Sequence, residues 1–178
     1  MARSNFKFHE SEYPYFLTCT VVDGVDLFSD PRISQIILDA LVHLQTEMQV
    51  KIYGYIIMHN HIHMVAEDQD LSESIRRFKS FTAREIIRYL ESTHRIVLLE
   101  RLKRGKRNHK KESTFQVWQE GSYPKQVNTL RKMETFLDYI HYNPVRAGFV
   151  SKPEHWRNSS AVNYMGGDGV IPITLFTA

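Results

Sequence analysis

Cysteine is almost absent: Cys19 is the only one in 178 residues, which excludes an intramolecular disulfide and any zinc site built from several thiolates. A reducing cytoplasm is the expected setting. No run of about eighteen apolar residues occurs, and the N-terminal stretch MARSNFKFHESEYPYF has no apolar h-region, so neither membrane spanning nor secretion is expected. Internal repeats and low-complexity segments are also missing. What is present is ordinary for a globular chain, 42% hydrophobic and 24% charged residues, enough for one domain with a normal core. We expect that domain to span 1–178, with its core over about 13–160 and an irregular tail over about 161–178, where Gly166-Gly167 and Pro172 punctuate the chain.

The formal net charge is only +3, but its distribution is uneven. Arg76, Arg77, Lys79, Arg84, Arg88, Arg95, Arg101, Lys103, Arg104, Lys106, Arg107, Lys110 and Lys111 face only Glu85, Glu91 and Glu100 across the same stretch. A run such as RLKRGKRNHKK is either a solvated loop or a surface that displaces counterions from nucleic acid phosphates.

Hydrophobic periodicity gives an order of elements. PYFLTCTVV (about 14–22) reads as a strand, followed by a turn at Asp23-Gly24. Asp30-Pro31 is a good helix start, and Ile33, Ile36, Ile37, Ala40, Leu41, Leu44 and Met48 recur at helical spacing. VKIYGYIIM (50–58) and 61–67 read as a hairpin joined around Asn60. Leu71, Ile75, Phe78, Ile86 and Leu90 mark a second helix, with Ser72 as a possible cap. The basic stretch then reads as a loop, TFQVW (114–118) as a short strand, and about Thr129 to Asn143 as a third helix stopped by Pro144. The sum is a βαββαβ, ferredoxin-like α+β fold with an antiparallel sheet, helices on one face and one additional C-terminal helix. The other face of the sheet is expected to be open.

The run MHNHIHMVA is the most informative segment. On a strand, His61 and His63 leave the same face together while Ile62, Met64 and Ala66 point to the other. Two such imidazoles are either half of a metal site or a pair of ordinary polar residues. His59 falls in the connecting turn and reads as exposed there.

The third helix, in METFLDYIHYNPVRAG, carries the apolar stripe Leu130, Met133, Leu137 and Ile140. Tyr139 lies off that stripe, and Asn143, four residues on, shares its flank. Alone, the tyrosine reads as a cover residue and the asparagine as a helix terminator. Beside a His61–His63 metal site the pair acquires another meaning. A phenol, with a reference pKa of about 10, becomes a nucleophile where a metal polarises the phosphate it attacks. Asn143 could supply that metal with an amide oxygen.

The strand with HIH, the VWQ segment and the helix with DYIHYNPVRAGFV resemble the single-tyrosine HUH transposases, and within them the REP-associated tyrosine transposases and their IS200-like relatives. The resemblance runs from about Tyr13 to about Ser160. It implies a ferredoxin-like sheet, a divalent ion on His61 and His63, Tyr139 as nucleophile and Asn143 as third ligand, where insertion-sequence members carry the longer Gln. Mg²⁺ is the expected ion and Mn²⁺ a good substitute, since imidazoles with an amide oxygen suit Mn²⁺; zinc fits less well. The implied reaction is nicking and strand transfer of single-stranded DNA at hairpin or palindromic sites through a 5′-phosphotyrosine. Candidate DNA contacts are Arg76, Lys79 and Arg84 on the second helix and Arg101, Lys103, Arg104, Lys106 and Arg107 beyond it, whereas the Trp118 indole reads as packing against the sheet. Two alternatives stay open: a domesticated protein that binds DNA hairpins without cutting, and a metal-dependent hydrolase centred on HNHIH. Insertion-sequence relatives exchange tyrosine helices as homodimers. The long tail after Pro144 resembles the REP-associated class, which favours a monomer with Tyr139 in its own chain.

Overall fold

The computed structural model describes residues 13–106 and 113–177. Strands β1 (Tyr15–Thr20), β2 (Lys51–Ile57), β3 (His61–Glu67) and β4 (Lys125–Gln126) form one antiparallel sheet in the order β2-β3-β1-β4. Helices α1 (Pro31–Thr46) and α2 (Leu71–Ser92) complete the ferredoxin-like βαββαβ arrangement, and α3 (Ile96–Arg104), α4 (Leu130–Arg146) and the single turn α5 (Ala161–Tyr164) are added to it. None of the helices among the described residues is long and apolar enough to cross a membrane.

The pleat sorts side chains as the alternation anticipates. Leu17, Cys19, Ile62, Met64 and Ala66 lie in the larger core with Ile33, Ile37 and Leu41 of α1 and Ile75, Phe78 and Ile86 of α2. The opposite face is less open than expected. Phe16, Ile56 and Val65 pack there against Met133, Leu137 and Ile140 of α4, so the additional helix covers part of the face that carries the histidines. Leu130, assigned by periodicity to the buried stripe, is exposed in the first turn of α4.

The close approach of α4 depends on Gly54. A bulge in β2 lies between Ile52 and Gly54, and a Cβ at Gly54 would sit 2.5 Å from Leu137 Cδ2. Beyond α4 the chain runs along the outer edge of β2. Ile57 N donates to Asn158 O, Ser160 N to Tyr55 O and Thr174 N to Ile52 O, so the tail caps a sheet edge that would otherwise offer unpaired backbone groups.

Helix boundaries follow their caps, with several departures from the expectations above. Asp30 accepts from Arg32 N at the start of α1, as expected. The cap of α2 is Asp70, which accepts from Glu73 N, in place of Ser72. Part of the basic loop is helical: Leu99 and Leu102 of α3 are buried, and Arg101, Lys103 and Arg104 fall in its last turn, where cations favour the helix dipole. The segment 114–118 is not a regular strand. Within it Trp118 forms an isolated bridge with Val21 and Val117 O accepts from Val22 N; Gly121 and Tyr123 then take left-handed backbone angles before the chain rejoins β1 as β4. Pro144 does not stop α4. It is buried within the helix, its fixed φ suits the next turn, and Ala147 N donates to Asn143 O to continue it.

Candidate active site

His61 and His63 leave the second face of β3 side by side, with ring centroids 4.7 Å apart. His63 is 5% exposed and stands opposite Thr18 of β1; its Nδ1 lies 2.9 Å from Thr18 Oγ1. His61 Nδ1 lies 2.8 Å from Asn60 Oδ1. Burial pushes both imidazoles towards the neutral form. For His63 the neighbouring His61 and Lys125 add to burial and bring its pKa down to about 3, and for His61 burial and His59 act in the same direction.

The helix brings Tyr139 to this pair within one chain. Its ring centroid is 5.2 Å from that of His63, at 68°, and 5.8 Å from Phe16, edge to face. Phe16 in turn stacks on Phe136, with ring centroids 4.5 Å apart. Tyr139 is thus held by aromatic contacts on its inner side while 41% of its surface stays exposed. Asn143 follows one turn later on the same flank, half-buried.

The donor set fits a divalent ion of intermediate softness. Both imidazoles are held through Nδ1, which leaves Nε2 of each as the nitrogen for a metal, and burial pushes both towards the neutral form that a ligand requires. Among the described residues no three His, Cys, Asp or Glu side chains are gathered to hold a metal. The Asn143 amide, on the same flank of α4 as Tyr139, is the candidate for a further protein donor.

Two cations that sequence patterning does not single out border the site. Lys125 Nζ lies 5.9 Å from the centre of the Phe16 ring, and the Arg146 guanidinium 5.7 Å from that of Tyr139. Arg146 could have been found from sequence, since it is two helical turns beyond Tyr139. Nothing local marks Lys125, which arrives by strand pairing with Phe16.

The proposed DNA contacts are elsewhere, and several are already engaged. Arg76 pairs with Glu73 at 2.6 Å. Lys79 Nζ donates to Gln119 O at 2.6 Å and Gly121 O at 2.7 Å, so it fastens the bent segment before β4 to α2. Arg84 lies 3.7 Å from Glu85 and 5.9 Å from the Phe81 ring centre. Lys103 lies 3.9 Å from Glu100; Arg101, Arg104 and Lys106 are at least partly exposed, and Arg107 is outside the described residues. Arg76 and Lys79 also line an open cleft of about 840 Å³ between α2 and residues 113–124. His59, expected as exposed, is half-buried, its ring 4.5 Å from Phe149 and 5.5 Å from Trp156. Trp118 packs as expected: it is buried, and its indole N–H donates to Thr82 Oγ1 at 3.0 Å.

No protein-family model and no curated protein matches the chain. Among solved structures, a REP-associated tyrosine transposase bound to a REP hairpin matches with a TM-score of 0.66 at 18% identity, covering 100% of this chain and 96% of that one. The chain has the fold of a REP-associated tyrosine transposase. The aligned region takes in α4 and the tail along β2 as well as the ferredoxin-like sheet.

Proposed function

We propose that this protein is a tyrosine transposase of the REP-associated, IS200-like kind, a divalent-metal-dependent nickase and strand transferase of single-stranded DNA at hairpin or palindromic sites. The observation that carries this reading is the placement of the partly exposed Tyr139 ring 5.2 Å from His63, which itself stands 4.7 Å from His61. The solved neighbour of the same fold is itself bound to a REP hairpin.

His61, His63 and Asn143 would hold Mg²⁺ or Mn²⁺, which when bound polarises the scissile phosphate and stabilises its developing charge. Phe16 and His63 keep the Tyr139 ring in place on its inner side, and its hydroxyl meets a strand entering from solvent. Tyr139 Oη forms a bond to phosphorus as the bond from phosphorus to the 3′-oxygen breaks. The phenol proton is lost, and the leaving 3′-oxygen ends as a hydroxyl, so one proton passes from tyrosine to DNA overall. The 5′-phosphotyrosine conserves the phosphodiester energy, and attack by another 3′-hydroxyl reverses the step and joins strands. Lys125 and Arg146 flank the position of that phosphate and contribute charge there. The geometry supports a site complete in one chain.

The test is a covalent adduct. Labelled single-stranded hairpin DNA with Mn²⁺ should yield a protein–DNA band that survives denaturing electrophoresis and is absent from Tyr139→Phe. His61→Ala should abolish the adduct while retaining most DNA affinity, because phosphate contacts dominate binding. Binding without an adduct would support the hairpin-binding alternative, and cleavage without an adduct the hydrolase.

A further inference from the structure

Asn60 sits in the connection between β2 and β3, immediately before His61. Its amide is read from both ends. Asn60 Nδ2 donates to the Gly24 carbonyl at 3.2 Å, and a carbonyl can only accept, so the end of the amide facing Gly24 must be the NH₂ group. The other end is therefore the carbonyl oxygen, and it lies 2.8 Å from His61 Nδ1. An oxygen with no hydrogen of its own requires a donor opposite it. In a neutral ring Nδ1 then carries the proton, and the ring's one available lone pair is on Nε2.

We propose that Asn60 is a positioning residue that fixes His61 as the Nδ1–H tautomer and so presents Nε2 to the metal. This rests on the metal-site reading above. The arrangement is anchored independently of any metal. Val21 N donates to Asn60 O and Phe28 N to His59 O, both at 2.8 Å, which clamps the connection to the segment between β1 and α1. Gly24 holds a left-handed φ of +59° there, and a Cβ added to it would lie 3.8 Å from Asn60 Nδ2. The frame places the Gly24 carbonyl, the carbonyl orients the amide, and the amide selects the imidazole nitrogen. Histidine ligands generally owe their orientation and basicity to such a partner on the second nitrogen. His63 lacks an equally unambiguous one, because the Thr18 hydroxyl 2.9 Å from its Nδ1 can donate or accept.

The test begins on the metal-free protein. Long-range ¹H–¹⁵N correlation spectra of histidine-labelled protein distinguish Nδ1–H from Nε2–H, with the His61 signals identified by their loss in His61→Ala. Wild type should show His61 as Nδ1–H. Asn60→Ala should shift it towards Nε2–H while leaving the His63 and His141 patterns in place, and Asn60→Asp, whose carboxylate still accepts, should keep Nδ1–H. Mn²⁺ affinity, measured by electron paramagnetic resonance without DNA, should fall by about 10–100-fold in Asn60→Ala and far less in Asn60→Asp. An Nε2–H pattern in wild type, or an unchanged pattern in a folded Asn60→Ala, would overturn the assignment; the wild-type spectrum decides even if Asn60→Ala does not fold. A wild-type protein with the Nδ1–H pattern but no Mn²⁺ binding would overturn the metal-site reading instead.

Discussion

The approach of α4 to the sheet decides where Tyr139 sits, and Gly54 is the position at which that approach can be perturbed with one methyl group. In Gly54→Ala the new Cβ would stand 2.5 Å from Leu137 Cδ2, with Ser160 Oγ at 3.4 Å and Ile140 Cδ1 at 4.0 Å. Carbon atoms sit comfortably at about 3.5–4.0 Å from one another, so the Leu137 branch must move by about 1 Å in a region already packed on its other sides. Such overpacking costs about 1–3 kcal/mol. The reduced backbone freedom of the unfolded chain returns about 0.4–1 kcal/mol, which leaves a net destabilisation of up to about 2.5 kcal/mol. Leu137→Ala alone should cost about 2–5 kcal/mol through the cavity it leaves. In the double variant the added methyl occupies vacated space, so the total should be smaller than the sum by about 0.5–3 kcal/mol. Urea denaturation of the four proteins measures this directly. Adduct yield should fall in Gly54→Ala by more than the unfolded fraction explains, because a shifted α4 carries Tyr139 from His63. Additivity to within about 0.5 kcal/mol, with full adduct yield in Gly54→Ala, would refute the idea that this glycine seats the helix.

Other consequences are as specific. Burial, only partly opposed by Asp138, pushes the His141 pKa down to about 4, and its Nε2 lies 2.9 Å from Ser160 Oγ. The folded value is below the unfolded one, so the contribution is full above about pH 6.5 and declines as pH falls towards 4, by up to about 1.4 kcal/mol per pH unit. Denaturation between pH 7 and 5 should show a shallower loss in His141→Asn than in wild type, and equal slopes would remove His141 as the cause. Lys79→Met should cost about 1.5–3 kcal/mol because it removes two hydrogen bonds from a charged donor, whereas Arg76→Ala, which breaks an exposed ion pair, should cost less than about 1 kcal/mol; similar melting curves for both would contradict this. Lys125→Ala and Arg146→Ala should each reduce the salt dependence of single-strand binding, by about 0.7 in the log–log slope for each phosphate no longer neutralised. Unchanged slopes would place the phosphate elsewhere.

Much of the site is legible in the sequence because its signals are local. The period of a strand puts His61 and His63 on one face whatever surrounds them, and helical spacing puts Tyr139 and Asn143 on one flank and off the buried stripe. Caps carry their own chemistry, as Asp30 does for α1. The parts that are not legible depend on groups distant in sequence. Which face α4 covers follows from the space at Gly54, and Lys125 reaches the site through pairing of β4 with β1. Basic residues on α2 look free in sequence, but Arg76 is matched by Glu73 within the same turn and Lys79 is drawn to carbonyls forty residues away. Charge density masks the helical pattern of Leu99 and Leu102, so α3 reads as loop. Pro144 carries a strong local stop signal, yet the packing of a buried ring outweighs it.

The proposed reaction has Tyr139, and not another tyrosine, attack DNA. Tyr142 is three residues away and also exposed, and cleavage after Lys132 and Arg146 by trypsin releases both on the one peptide Met133–Arg146. Fragmentation mass spectrometry of that peptide, from protein trapped with single-stranded hairpin DNA and Mn²⁺ and then digested with nuclease, locates the residual nucleotide. The phosphodiester is expected on Tyr139. Its appearance on Tyr142, or on a peptide outside α4, would contradict that assignment.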